Sequence, residues 1–179
     1  MKGLVFTEFL EMVEAAWSYE MVDRIVDEAN LPSRGAYTAV GTYDHAEMWS
    51  LVTRLSHASG QAVPDLLQAF GRHLAGRFTH SHPQFFSAPS LFDFLASVDA
   101  VIHVEVRKLY PDAELPHFEV AERTPERLLL VYRSPRHFGD LAEGLILGAA
   151  QHFGESVRIS RETVSEASGS HIRFTVERA

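Results

Sequence analysis

The sequence predicts an α+β fold, with a helical N-terminal lobe followed by a lobe built on a four-stranded antiparallel sheet. Up to about residue 110, apolar side chains recur at the three- and four-residue spacing of amphipathic helices. After Pro111 the pattern changes to short segments in the order strand, strand, helix, strand, strand. We therefore expect a single domain over residues 1–179, with the helical lobe over about 1–80 and the α/β lobe over about 81–179.

Composition excludes several classes of protein. Of the 179 residues, 46% are hydrophobic, which is ample for a core. The formal charge of −8, without a run of basic residues, argues against nucleic acid and anionic membranes as partners. The absence of cysteine excludes disulfides, zinc–thiolate sites and cysteine nucleophiles. The N-terminal segment is too rich in glutamate for a signal peptide or membrane span, so we expect a cytoplasmic protein.

Four helices are predicted in the helical lobe. The first has an apolar face that includes Phe6 and Phe9, and we expect Glu8, Glu11 and Glu14 on its opposite, exposed face. A second, short helix follows. The third and fourth helices are recognised from residues typical of helix ends. These are Asp44 before the third helix, Gly60 after it, Pro64 at the start of the fourth, and a loop over residues 79–83 beyond the fourth.

The next predicted helix, over residues 90–110, is the element around which the chain is organised. Ser90 followed by Asp93 is typical of a helix N-terminus. Apolar residues then point in most directions around the axis, so this helix is predicted to be buried on more than one side. It carries one imidazole, His103, among these apolar residues.

Two interpretations of His103 remain open from this helix alone. The first is a core histidine whose ring nitrogens are satisfied by backbone groups or by Asp99, one turn earlier. The second is an axial ligand to a metal or haem iron, with one ring nitrogen on the metal and the other held by an acceptor.

The predicted strands cover residues 117–121, 127–134, 157–164 and 171–177, with a helix over about 138–153 between the two pairs and a turn around Gly169. At the end of the second strand, Tyr132, Ser134 and Arg136 occupy every second position and project from one face. A phenol, a hydroxyl and a guanidinium together suit a carboxylate ligand. The alternative is that these three side chains merely line an exposed strand end.

Four segments of the chain resemble the haem nitric oxide/oxygen binding (H-NOX) family, the bacterial relatives of the haem domain of soluble guanylate cyclase. They are MKGLVFTEFLEMV at the N-terminus, DAVIHVEVRKLYPDAELPHF around His103, YRSPR from Tyr132 to Arg136, and AEGLILGAAQHF in the predicted 138–153 helix. Together they extend the resemblance over essentially the whole chain. It implies the H-NOX fold, with haem b held between the two lobes.

The resemblance also implies roles for individual residues. His103 matches the axial ligand of the haem iron, and Pro116 matches a proline that contacts and distorts the porphyrin. Tyr132, Ser134 and Arg136 match the residues that bind the haem propionates. The apolar side chains expected to contact the haem are Phe9, Leu74, Phe78, Leu141 and Leu145, with Gly144 and Gly148 allowing close approach to the haem or packing on the sheet.

The position of the tyrosine that stabilises oxygen in some members is occupied here by Leu141, and its polar helpers by Phe9 and Leu74. An apolar wall cannot donate a hydrogen bond to iron-bound oxygen, whereas NO and CO bind ferrous haem without one. The sequence therefore predicts a sensor of NO, which also binds CO and forms no stable oxygen complex. An oxygen-binding or haem-storage module is the alternative.

No enzymatic activity is predicted, because the chain has neither a G-x-S-x-G nor an H-E-x-x-H motif. The family resemblance implies a separate signalling partner, either a histidine kinase or a cyclic-di-GMP enzyme, and we expect a monomer. Two possible zinc sites are judged improbable. His73, His80 and His82 lack a completing carboxylate or thiolate, and His171 resembles the zinc histidine of some relatives but has no cysteine partners.

Overall fold

The computed structural model describes residues 1–166 and 169–179. Its first half contains α1 (Gly3–Ala16), α2 (Tyr19–Glu28), α3 (His45–Ser59), α4 (Val63–Ser81), a 3-10 turn (Pro83–Phe86) and α5 (Leu91–Ser97). A π-helical turn (Val98–Ile102) joins α5 to α6 (His103–Leu109). Then follow β1 (His117–Arg123), β2 (Arg127–Arg133), α7 (Gly139–His152), β3 (Val157–Glu166) and β4 (Gly169–Arg178). The predicted α+β fold class is confirmed.

The helix ends agree with the sequence at most positions. The Asp44 side chain accepts a hydrogen bond at the start of α3, and Gly60 ends this helix in the left-handed conformation, with φ of 76°. Ser90 caps α5 by accepting from the Asp93 amide. The predicted loop over residues 79–83 is wrong, because α4 continues to Ser81. Its last turn is held by side chains that bond to carbonyls one turn back, including Ser81 Oγ to Arg77 O at 3.0 Å.

The four strands form one antiparallel sheet in the order β1-β2-β4-β3. Within β2 the residues alternate as predicted, and Leu128, Leu130 and Tyr132 are all buried. The predicted turn around Gly169 falls partly on residues 167 and 168, which lie outside the described residues. Gly169 itself is the first residue of β4.

Two hydrophobic clusters form the interior, and α7 contributes to both. The helical cluster consists of side chains from α1 to α4 and the α2–α3 connection, together with Phe138 and Leu141. The sheet cluster consists of side chains from α5, β2, β4 and α7, including Ala142 and Ile146. Neighbouring residues of α7 therefore face different clusters, so this helix lies at the boundary between them.

Gly144 and Gly148 of α7 contact α4, whereas Gly139 at the start of the same helix lies against Ile172 of β4. Close approach of Gly144 and Gly148 to haem remains a prediction. A methyl group built at Gly144 would overlap the Gln68 carbonyl, and one at Gly71 would overlap the Leu141 carbonyl. At Gly148 it would lie 2.5 Å from the Ala75 side chain. Because these positions lack a Cβ, the backbones of α4 and α7 are in direct contact along more than one turn.

Glu8 is another correction. The sequence predicts it on the exposed face of α1, but only 6% of its surface is exposed. Its Oε2 accepts a hydrogen bond from Arg77 Nε at 2.8 Å and lies 3.1 Å from His73 Nε2. Both partners belong to α4. A buried carboxylate is tolerated where charged donors satisfy it, so Glu8 ties α1 to α4.

A polar cluster joins the N-terminal residues to the segment that follows α6. Lys2 Nζ lies 2.8 Å from Thr42 Oγ1 and 3.3 Å from both carboxylate oxygens of Asp112. Thr42 Oγ1 also donates to Asp112 at 2.6 Å, and Lys2 Nζ lies 5.1 Å from the centre of the Tyr110 ring. These contacts connect the C-terminal end of α6 to the start of the chain.

Candidate functional site

His103 begins α6 directly after the π turn. Its amide donates to the Val98 carbonyl, five residues back, so the helix is wider here than the regular helix that the sequence predicts. The side chain is 8% exposed, which confirms the predicted burial. Isolated π turns within helices occur frequently at functional sites.

The two ring nitrogens of His103 are in different situations. Nδ1 lies 2.9 Å from Oδ1 of Asp99, an acceptor, so Nδ1 carries the proton. Nε2 has no hydrogen bond among the described residues. Burial lowers the pKa of His103 below its ordinary value and outweighs the opposite effect of Asp99. The imidazole is therefore neutral at pH 7, with the lone pair of Nε2 available to a metal.

Three groups from two parts of the chain contact the Asp99 carboxylate. Besides His103, the Phe118 amide donates to Oδ1 at 3.2 Å, and His117 Nδ1 lies 2.5 Å from Oδ2. Burial alone would raise the pKa of the Asp99 carboxyl, but the hydrogen bonds from His103 and the Phe118 amide lower it below its usual value. Of the partners that the core-histidine interpretation allows for His103, Asp99 is the one present, and this contact is compatible with either interpretation of His103.

Tyr132 lies on β2 near His103, with Phe118 between them. The Phe118 ring centre is 5.1 Å from that of Tyr132 and 6.1 Å from that of His103. Tyr132 is 5% exposed, and burial raises the pKa of its phenol. The hydroxyl is therefore protonated at neutral pH and able to donate a hydrogen bond. Pro116, two residues before Phe118, is half-buried.

Ser134 and Arg136 lie beyond the end of β2, and not on the strand as the sequence predicts. The strand ends at Arg133, and Pro135, which has no amide hydrogen, cannot continue the ladder. In the resulting turn, Ser134 Oγ accepts from the Arg136 amide at 3.2 Å. The three residues remain adjacent to one another, but a turn rather than strand alternation brings Arg136 back toward Ser134.

The Arg136 side chain is 12% exposed, and its guanidinium donates to Glu114 Oε2 at 2.6 Å. Glu114 is 83% exposed, and Arg136 lowers the pKa of its carboxyl. This is the single hydrogen bond of the guanidinium within the described part of the chain, and a guanidinium has five N–H donors. Donors for a further carboxylate therefore remain.

The five residues predicted to form an apolar wall lie on α1, α4 and α7 and share the helical cluster. Phe9, Leu74 and Leu141 are buried within it, and Phe78 and Leu145 pack against it. None of these five side chains carries a hydrogen-bond donor. The wall is connected to Arg136 through Trp49, whose Nε1 donates to the Arg136 carbonyl at 3.1 Å and whose ring stacks on Phe138 of the same cluster.

The zinc candidates are not brought together. His73 contacts Glu8, whereas His82 stacks on Phe85 with ring centres 5.5 Å apart. His171 is buried in a cleft of about 270 Å³ beside Tyr132 and Ser134. Within residues 1–166 and 169–179, no three potential metal ligands of the histidine, cysteine, aspartate or glutamate type converge.

A family model described as Haem-NO-binding matches residues 2–161. The chain belongs to the Haem-NO-binding family. Membership implies haem as the cofactor, and the residues present fit it. A buried neutral imidazole offers a free Nε2, a nearby guanidinium has unused donors, and apolar side chains form the wall described above.

Solved H-NOX structures are similar to this chain over its full length. The unliganded Fe(II) H-NOX protein from K. algicida is 38% identical, with a TM-score of 0.93 and 100% and 97% of the two chains covered. The Fe(II)CO H-NOX from Shewanella woodyi is 39% identical, with a TM-score of 0.84 and coverage of 100% and 95%. The Fe(II)NO H-NOX protein from S. oneidensis is 28% identical, with a TM-score of 0.90 and coverage of 100% and 99%.

A search of the curated proteins finds no match. Over the described residues of this Haem-NO-binding protein, no helix has both the length and the apolar character needed to cross a membrane.

The contact of His117 with Asp99 and the π turn are the two features of the site that are not recognisable from the sequence. Asp99 and His103 are four residues apart in a helix, so their contact is expected, whereas His117 reaches the same carboxylate from the other side of a loop. The π turn has no distinct sequence signal, because its residues, VDAVI, also suit a regular helix.

Proposed function

We propose that the chain binds haem b through His103 and acts as a sensor of NO without catalysis of its own. The observation that carries this proposal is the buried imidazole whose Nδ1 is fixed by Asp99, while Nε2 has no partner among the residues that the structure describes. Tyr132, Ser134 and Arg136 bind the propionates, and Pro116 contacts the porphyrin. When bound, haem would supply a ferrous iron that can bind NO, and His103 would be the protein ligand whose bond to the iron NO weakens.

Gas selectivity follows from the helical cluster. Phe9, Leu74 and Leu141 offer no hydrogen bond to a polar bound ligand. NO and CO do not need such a bond, whereas a stable oxygen complex does. We therefore propose that the protein binds NO and CO and forms no stable oxygen complex. The ligation states of the S. oneidensis and Shewanella woodyi structures, Fe(II)NO and Fe(II)CO respectively, are consistent with this choice.

We propose that the protein signals to its partner through a movement of α6. When His103 is released, the restraint on the first residue of this helix is lost, and α6 is free to shift relative to Asp99 and β1. Such a two-state element is what a sensor requires. We propose a monomeric cytoplasmic protein that signals to a separate histidine kinase or cyclic-di-GMP enzyme.

The test is the visible absorption spectrum of the purified, reduced protein under argon and then with NO, CO and air. We expect a five-coordinate ferrous haem whose spectrum shifts with NO and CO and shows no stable complex in air. His103→Gly should lose the haem and regain it with added imidazole. The control His57→Gly changes an exposed histidine of α3 and should retain the wild-type spectrum.

A colourless protein that takes up no added haemin would contradict the cofactor assignment. Retention of the wild-type spectrum by His103→Gly without imidazole would exclude His103 as the ligand. A stable oxygen complex in the wild type would show that the apolar wall does not determine selectivity.

A further inference from the structure

We propose that His117 is a positioning residue for the axial ligand, which binds the outer oxygen of Asp99 and thereby limits the negative charge that Asp99 presents to His103. This inference rests on the proposed role of His103 as the iron ligand. It assigns a function to His117, the first residue of β1.

The two carboxylate oxygens of Asp99 contact different groups. His103 Nδ1 and the Phe118 amide share Oδ1, at 2.9 Å and 3.2 Å, whereas His117 Nδ1 lies 2.5 Å from Oδ2. His103 Nδ1 makes a hydrogen bond to Oδ1, whereas His117 Nδ1 is at ion-pair distance from Oδ2. The carboxylate is therefore flanked by two imidazoles, one at each oxygen.

The three side chains differ in their exposure to solvent. The His103 side chain is 10% exposed and that of Asp99 is 24% exposed, whereas that of His117 is 56% exposed. His117 is thus the member of the set that borders solvent. It can be changed without opening a cavity in the core, and it is the part that a docked protein or the medium can reach.

When His117 is removed, Oδ1 of Asp99 keeps both of its hydrogen-bond donors. They are Nδ1 of His103 and the Phe118 amide of β1. Asp99 therefore stays in place, while its charge is no longer drawn toward Oδ2. An acceptor with more charge gives His103 more imidazolate character and strengthens its bond to iron, because acceptors next to ligating histidines raise their basicity.

This reasoning predicts opposite effects for two neighbouring substitutions. His117→Phe keeps a ring but removes the donor, so the iron–histidine stretching frequency of the ferrous protein should rise and release of His103 after NO binding should slow. Asp99→Asn weakens the acceptor, so the same frequency should fall and metal-site affinity should drop by about 10–100-fold. Damage to the local structure would instead lower the frequency in both variants.

The experiment is resonance Raman spectroscopy of the ferrous protein, with stopped-flow mixing with NO. His117→Asn is the rescue variant, because its side-chain amide can place a donor near the position of Nδ1, and it should restore the wild-type frequency. His45→Phe is the matched control. It removes a partly exposed imidazole that lies 3.3 Å from the Asp44 carboxylate, at the start of α3.

A second readout does not require haem. In the haem-free protein, long-range 1H–15N NMR should show the proton of His103 on Nδ1 in the wild type and in His117→Phe. An unchanged or lowered iron–histidine frequency in His117→Phe would overturn the proposal for His117. A separate result would exclude His103 as the iron ligand. In that case the His103→Gly variant would keep its haem without added imidazole.

Discussion

Leu141 is the residue on which gas selectivity depends most directly in our proposal. It lies on α7, is 8% exposed and belongs to the same cluster as Phe9 and Leu74. Its side chain cannot donate a hydrogen bond. A hydroxyl introduced at this position is therefore the smallest change that could reverse the selectivity.

We predict that Leu141→Tyr forms an oxygen complex that the wild type does not form. The phenol supplies the donor that iron-bound oxygen requires, and NO and CO binding should persist. The measurement is the absorption spectrum of the reduced protein in air. Leu141→Phe is the control, because it adds the ring without the hydroxyl; an oxygen complex in that variant would mean that ring size and not hydrogen bonding is responsible.

Arg136 permits a second prediction at this scale. Arg136→Ala should lose haem more readily, because one charge-assisted hydrogen bond to a carboxylate contributes about 1.5–3 kcal/mol. The comparison is the rate of haem transfer to an excess of an apoprotein acceptor. Arg133→Ala removes an exposed arginine paired with Glu119 at 2.9 Å and should transfer haem at the wild-type rate. Equal rates for the two variants would exclude a propionate contact.

Residue chemistry was partly predictable from the sequence. Burial of His103 and its contact with Asp99 follow from helical spacing, and both are present. The roles of the predicted haem contacts remain predictions. The position of Glu8 could not be predicted, because what distinguishes it from Glu11 is a partner on α4, far along the chain.

At the scale of single elements, α4 and α7 approach each other closely at small residues. Gly71 and Gly144 allow the two backbones to meet. Sequence periodicity identifies which positions are small but not which neighbour they face, because that depends on tertiary packing.

We predict that Gly144→Ala destabilises the protein by about 1–3 kcal/mol, since the added methyl meets a backbone carbonyl that cannot move aside. Gly76→Ala provides the control. Gly76 lies within α4, where an added Cβ meets nothing within 4 Å, and alanine is favoured over glycine in a helix by about 1 kcal/mol. Urea denaturation should therefore show opposite shifts in midpoint. A loss of stability in both variants would contradict the packing argument.

The π turn shows the limit of prediction at this scale. The sequence correctly indicates a helical region from Ser90 to Leu109, including its N-cap. Within the widened turn, Asp99 contacts Phe118 and His117 of β1. These contacts lie outside the helix, so helical periodicity carries no information about them.

Across the whole molecule, the contacts among Lys2, Thr42 and Asp112 connect the start of the chain to the end of α6. Hydrogen bonds from Thr42 and Lys2 lower the pKa of Asp112 below its ordinary value of 3.8. The folded state therefore favours the ionised carboxylate. This contribution to stability is complete above the unfolded pKa and disappears as the pH falls through the lower, folded pKa.

We predict that Asp112→Asn has a lower urea midpoint than the wild type at pH 7, and that the difference decreases as the pH falls below about 3.8. The measurement is the urea midpoint of both proteins between pH 7 and pH 3. Asp27→Asn, which changes an exposed aspartate of α2, should match the wild type at pH 7. A difference that stays constant with pH would show that Asp112 acts through packing and not through its charge.

The division into lobes at about residue 80 remains a prediction. Leu141 and Ala142 are consecutive residues of α7 that belong to different clusters. On this basis we expect the whole chain to unfold in one transition.

The direct contact between α4 and α7 has a kinetic consequence. These two helices supply Leu74, Leu141 and Leu145, and their backbones meet at Gly71 and Gly144. Because close packing resists small displacements, we expect the spacing of these side chains to stay the same whether or not His103 is bound to iron. Association rate constants for CO should then be equal in the wild type and in His117→Phe. The rate of His103 release after NO binding should differ between the two proteins.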